Sequence, residues 1–179
     1  NPIKKTKNEG AKIFSITNTL ESSLARESHE VLYLNAGPEF GVAATKTFTS
    51  QLTMDMLLVY QMGKQKGIKK VDEIRNSLTE IPQKIPQLIA SCEEYVRDLA
   101  HHVAERNAIY FMGRRENEIT AKEGALKLEE VSYKYSKAHN SGELKHGPLA
   151  VVSMDETNHN GRITGTPIFV SVPSIGSSV

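Results

Sequence analysis

Glu123, Lys127 and Glu130 stand in the run E-G-A-L-K-L-E-E-V-S-Y, and Lys145-His146 follow in S-G-E-L-K-H-G-P at 141 to 148. Two carboxylates, an ammonium and an imidazole therefore fall within 24 positions. The spacing i, i+4, i+7 places the first three on a narrow arc of one helical face. Such a face can move a proton beside a stabilised charge. It is equally the pattern of a solvated surface laced with Glu-Lys pairs, each stabilising by roughly 0.2 to 0.5 kcal/mol. Gly142 and Gly147-Pro148 bracket Lys145-His146 with residues that end a helix and hold a short turn. An imidazole ordinarily titrates near pH ~6.5, which suits proton transfer at neutral pH. A turn histidine without a chemical role carries the same local pattern.

The elements that must position these groups read as a parallel α/β arrangement. Ala11 to Ile16, after the Gly10 break, and Glu30 to Leu34 are expected as strands, with a short helix within Thr17 to Glu27. This strand-helix-strand rhythm belongs to a parallel sheet. Thr45 to Gly63 is periodic and free of proline, and is expected as a helix. Gly41, Ala43, Ala44 and Thr45 at its start allow close backbone approach, and its free amides suit an anionic or hydroxylated ligand. Simple capping by Thr45 is the alternative. Lys69 to Leu78 and Pro86 to Ala104 are expected as two further helices, separated by Pro82 and Pro86. Asn107 to Met112 is expected as a buried strand, turning at Gly113-Arg114 into the helix of Glu123, Lys127 and Glu130. A ligand at the carboxyl end of that strand would lie beside this helix, where open α/β sheets place their sites. Leu149 to Ser153 begins another apolar segment, and Thr166 to Pro173 reads as a strand.

Composition sets the outer bounds. The 22 basic and 21 acidic residues leave a net charge of +1, which gives no electrostatic reason to expect nucleic acid or a membrane surface. No apolar run approaches the roughly 20 residues needed to span a bilayer, and N-P-I-K-K-T-K lacks the apolar core of a secretion signal. The single cysteine, Cys92, cannot form an intrachain disulfide, so a reducing cytoplasm is the expected compartment. Cys92 itself, in L-I-A-S-C-E-E-Y-V, is expected to be a packing residue. No Cys/His cluster has zinc spacing, and no metal is expected.

The segment E-G-A-L-K-L-E-E-V-S-Y, followed after ten residues by G-E-L-K-H-G-P-L-A, resembles the sugar isomerase (SIS) domain of the glutamine:fructose-6-phosphate aminotransferase (glucosamine-6-phosphate synthase) family. A second match, N-A-G-P-E-F-G-V-A-A-T-K-T-F-T-S-Q-L at 35 to 52, stands in the family's order. The resemblance covers about residues 10 to 153. It implies a three-layer αβα sandwich with a parallel sheet, parts of two SIS modules, with the later part of the first in 1–81 and the helical connection and earlier part of the second in 82–179. The family's S-x-S-G-x-T phosphate loop and its amino-terminal glutaminase cysteine have no counterpart ahead of Gly10, and its carboxyl-terminal lysine segment is missing too. The chain therefore resembles an internal piece. Met154 to Gly165, polar and turn-rich, reads as a local insertion before the strand resumes, and His159 and Arg162 within it are given no role.

By the same resemblance, Glu130 is the base that shuttles a proton between sugar carbons 1 and 2, a task open to a carboxylate if partial burial raises its pKa. His146 corresponds to the ring-opening histidine, which in the family reaches the site from a neighbouring subunit, so a homodimer is expected. Lys127 matches a lysine near the substrate hydroxyls, and Glu123 would orient Lys127 or the 141 to 148 loop. Val42 matches a backbone contact to the sugar, Thr45 lies beside it, and Lys145 joins the substrate-binding set. Ala44 stands where bacterial members often carry serine. The implied reaction joins fructose 6-phosphate and glutamine-derived ammonia into glucosamine 6-phosphate without a cofactor, beside a glutaminase domain in the intact protein. A related SIS deglycase or isomerase is the near alternative, and a regulatory module that binds a sugar phosphate without chemistry the distant one. Pure binding has no need of a base and a ring-opening acid together.

Overall fold

The computed structural model describes residues 2–152 and 165–171. It divides into two compact units, Asn1–Ile89 and Ala90–Val179, with the division inside one long helix. Among the described residues, no helix is long and apolar enough to cross a membrane.

In the first unit, α1 (Pro2–Asn8) precedes β1 (Phe14–Thr17), α2 (Ser23–Glu27), β2 (Glu30–Tyr33) and α3 (Lys46–Gln65). Pro2 at the start of α1 suits a position whose N–H has no helical partner, and this helix is one the sequence pattern did not signal. Strands β1 and β2 run parallel, with Phe14 opposite Glu30 and Thr17 opposite Tyr33. Ser22 caps α2 by accepting from the Ala25 amide at 3.1 Å. Helix α3 ends where Gly67 adopts φ +71° and Ile68 N donates to Gly63 O at 2.9 Å, the left-handed reversal that glycine makes readily. A Cβ on Gly63 would stand 2.4 Å from Val71 Cγ1, so the bare backbone lets the 3₁₀ turn Lys69–Val71 close against α3.

Helix α4 runs unbroken from Asp72 to Ala104 through Pro82 and Pro86. This corrects the expected break. Each proline removes one ladder N–H, from the carbonyls of Leu78 and Pro82. Because α4 buries none of its residues, water can satisfy both. The long flanking ladders then hold the helix together. Cys92 on α4 is half-buried, while its neighbours Ser91 and Glu93 are exposed.

The second unit contains β3 (Ala108–Gly113), α5 (Glu116–Ser132), β4 (Tyr135–Asn140) and β5 (Ile168–Ser171). All pair in parallel in the order β4-β3-β5, so β3 is central. The fold class is thus α/β with parallel sheets, as expected. Ile109, 1% exposed, and Tyr110 and Met112 on the other face of β3 are all buried, as a covered parallel strand requires. Ala121 and Ala125 are the buried stripe of α5, and Gly124 lets Phe111 lie against the helix, its ring 3.0 Å from where a Cβ would be. Phe111 also stacks on Phe169 of β5 with centroids 5.0 Å apart.

Strand β4 was not signalled by any apolar run, since Y-S-K-A-H-N is polar. Its inward Ser136 is buried all the same. The apolar segment expected from Leu149 is a 3₁₀ turn, Pro148–Val151. Of the segment expected as an insertion, Met154 to Gly165, only Gly165 is among the described residues, and His159 and Arg162 lie outside them. Val172 and Pro173, the expected end of the last strand, also lie outside.

Candidate functional site

Helix α5 carries two faces. Glu123, Lys127 and Glu130 project about 180° to 240° around the axis from Ala121, away from the sheet-facing stripe. Their side chains are nevertheless only 22 to 23% exposed. Lys127 Nζ donates to Glu130 Oε2 at 2.6 Å and stands 3.5 Å from Glu123 Oε1. The Glu130 hydrogen bond, more than any other influence, pushes the Lys127 ammonium above its ordinary value, with both carboxylates adding to it. An ammonium has three donors. Two are directed at Glu130 and Glu123. Of the two roles expected for Glu123, the geometry brings it to Lys127.

The triad is not at the carboxyl end of β3. Glu130 lies in the last turn of α5, about 21 Å along the axis from Glu116 at ~1.5 Å per residue. The groups at the carboxyl end of the sheet are others. There Asn140 Nδ2 donates to Glu118 Oε2 at 2.6 Å, Ser171 Oγ to Asn117 Oδ1 at 3.3 Å, and Lys122 pairs with Glu118 at 2.7 Å. The Lys122 and Asn140 bonds hold Glu118 below the usual carboxylate range. Nearby on β4, burial pushes the His139 imidazole down, helped by Lys137.

Lys145 and His146 sit in the 3₁₀ turn Leu144–His146 beyond the carboxyl end of β4, both exposed. Glu130 precedes the amino end of the same strand. The two are therefore at opposite ends of β4, about 20 Å long at ~3.3 Å per residue. Among the described residues no hydrogen bond or ion pair joins His146 to Glu130 or Lys127.

The first unit holds a separate cleft of about 1030 Å³ at the carboxyl ends of β1 and β2, lined by Asn18, Asn35, Glu39, Gly41, Ala44 and Thr47 among others. Its position is the one open α/β sheets use for ligands. Val42, 84% exposed, projects from the turn beside it, and Thr45 is the N-cap residue of α3. Thr45 makes no side-chain cap of its own. The amides of Thr45 and Lys46 instead donate to Glu39 Oε1 at 2.8 and 3.2 Å. Glu39 thus does the capping expected of Thr45, and it takes two of the amides at the helix start. Glu39 stands six residues before Thr45, beyond the Ser/Thr/Asp/Asn signal that marks an N-cap in sequence. The carboxylate beside threonines was the only trace of it.

Taken together, fold and site define a parallel α/β protein with a strand-end cleft in one unit and a carboxylate-ammonium-carboxylate helix in the other. Residues 1–60 and 102–157 match the SIS domain, and the chain belongs to the SIS domain family. It is 40% identical, over 96% of its length, to the isomerizing glutamine–fructose-6-phosphate aminotransferase of Corynebacterium glutamicum, of which it covers 26%. The enzyme of the same name from Sulfurisphaera tokodaii is 39% identical over 84% of this chain and 24% of its own. The chain thus spans about a quarter of the curated relatives it matches. Among solved structures, the C-terminal domain of glucosamine-fructose-6-phosphate aminotransferase from Francisella tularensis matches with TM-score 0.76 and 31% identity, over 97% of this chain and 47% of that one. A phosphosugar isomerase described as putative in its Clostridium difficile structure shares the fold at TM-score 0.80 and 22% identity, over 95% and 46% of the two chains.

Proposed function

We propose that this chain is the isomerase part of a glutamine:fructose-6-phosphate aminotransferase, which converts fructose 6-phosphate and glutamine-derived ammonia to glucosamine 6-phosphate in the cytoplasm, the carbon 2 oxygen leaving as water when nitrogen takes its place. The observation that carries the reading is the 2.6 Å bond between Lys127 and Glu130, in a chain whose relatives bear that enzyme's name. Isomerisation needs a base that takes a proton from carbon 1 and returns it to carbon 2, and a cation near the charge that develops between these events. Glu130 is the base and Lys127 the cation, with Glu123 holding Lys127 in place. Val42 offers its backbone to the sugar, with Thr45 and Lys145 completing the substrate contacts.

His146 opens the sugar ring. Its place at the far end of β4 from Glu130 supports a site built from two copies, the histidine of one protomer meeting the glutamate of the other, and hence a homodimer. The glutaminase domain that frees the ammonia belongs to the intact protein in this reading.

The test is turnover by the full-length protein, with fructose 6-phosphate and either glutamine or ammonium, read as glucosamine 6-phosphate formed. Product is expected from both nitrogen sources. Saturable sugar-phosphate binding with no product from either would leave a regulatory SIS module in its place.

A further inference from the structure

Residues 35–45 connect β2 to α3 and are pinned at both ends. At the first, Asn18 beyond β1 donates through Nδ2 to Gly37 O at 2.8 Å and accepts from the Ala36 amide at 2.9 Å. At the second, the Glu39 carboxylate gathers four donors. Thr45 N, Thr45 Oγ1 and Lys46 N reach Oε1 at 2.8, 3.1 and 3.2 Å, and Thr47 Oγ1 bonds Oε2. Between the pins the turn of residues 40 to 44 stands out from the unit, with Phe40 93% and Val42 84% exposed.

The amino end of a helix carries about half a positive charge and free N–H groups, and it takes phosphates readily. Here the protein's own anion already sits on the Thr45 and Lys46 amides. The Thr47 hydroxyl and the Thr45 amide, in that order, hold Glu39 down at about 2, so the carboxylate stays ionised wherever the protein works.

We propose that Glu39 is a positioning residue: its carboxylate occupies the Thr45 and Lys46 amides, and its charge keeps anions, the phosphate of a sugar phosphate included, off that end of α3. This rests on the isomerase reading above.

The experiment compares wild-type, Glu39→Ala and Glu39→Gln full-length proteins, with inorganic phosphate as the probe. Alanine uncovers the two amides, so phosphate is expected to raise the melting temperature of Glu39→Ala more than that of wild type at equal ionic strength. Phosphate is also expected to compete with fructose 6-phosphate at least about fivefold more tightly in that variant, whose KM rises about tenfold while kcat falls less. Glutamine removes the charge but keeps the length and one acceptor oxygen, and is expected to fall between the two; it decides the matter if the alanine variant does not fold. Phosphate inhibition and KM equal to wild type in the folded variants would overturn the proposal and leave Glu39 a plain cap. A wild-type protein without turnover would remove the isomerase reading, yet the melting-temperature comparison would still decide whether Glu39 excludes anions.

Discussion

Lys127 Nζ lies 2.6 Å from Glu130 Oε2 and 3.5 Å from Glu123 Oε1, so one ammonium serves carboxylates on either side of it along α5. In the proposed reaction Glu130 touches the moving proton and Glu123 only holds Lys127. Glu130→Gln is therefore expected to lower kcat by about 10²- to 10⁴-fold, the usual worth of a general base, with sugar-phosphate affinity kept. Glu123→Gln is expected to cost far less. Steady-state kinetics beside calorimetric titration of both variants checks the split; equal losses would deny Glu130 its separate role.

The raised pKa of Lys127 also gives a sign for stability. A cation favoured by folding contributes fully below its ordinary value of 10.5, and that contribution is lost as pH climbs through the higher folded value. The melting-temperature gap between wild type and Lys127→Met is expected to be constant near neutrality and to close only above pH 10.5.

Glu39 works in the opposite window. Its pKa falls from 4.5 to about 2 on folding, so its contribution is present above pH 4.5 and is lost as pH drops toward 2. Acid unfolding of Glu39→Gln, followed by circular dichroism, is expected to lack the loss that wild type shows between those values.

Separation of Glu130 and His146 along β4 predicts complementation. Glu130→Gln and His146→Ala proteins, each inactive, are expected to recover activity when their subunits are mixed and exchanged. A two-fold dimer that shares its sites restores one good site per mixed dimer, about a quarter of wild-type activity after random exchange. No recovery after demonstrated exchange would place both residues in one protomer's site.

Two backbone features invite stability tests. Pro82→Ala and Pro86→Ala are each expected to raise stability by about 1 to 3 kcal/mol, because alanine restores a ladder N–H inside an existing helix. Freer unfolded chain offsets part of that gain. Gly113→Ala is expected to lose about 2 kcal/mol or more, since its Cβ would stand 2.1 Å from the carbonyl oxygen of Asn117 at the start of α5. Thermal unfolding of the three variants distinguishes these signs.

Features that depend on spacing along one element are legible without the fold. Glu123, Lys127 and Glu130 share a helical face because 3.6 residues per turn puts them there, and the helix over Thr45 to Gly63 and the strands β1, β2 and β3 followed from local periodicity. Features that depend on partners distant in the chain, or on solvent, emerge only in the folded protein. Strand β4 forms from polar residues because β3 supplies its hydrogen bonds and small side chains let α5 lie close. Helix α4 continues past two prolines because exposed carbonyls find water, which a residue count of breakers does not weigh. Glu39 reaches the amides of α3 only once the 35–45 segment folds back on itself. His146 is carried away from Glu130 because a crossover helix returns the chain to the amino edge of a parallel sheet, while the loop after β4 leaves from the carboxyl edge, a separation that is topological and has no sign in the sequence.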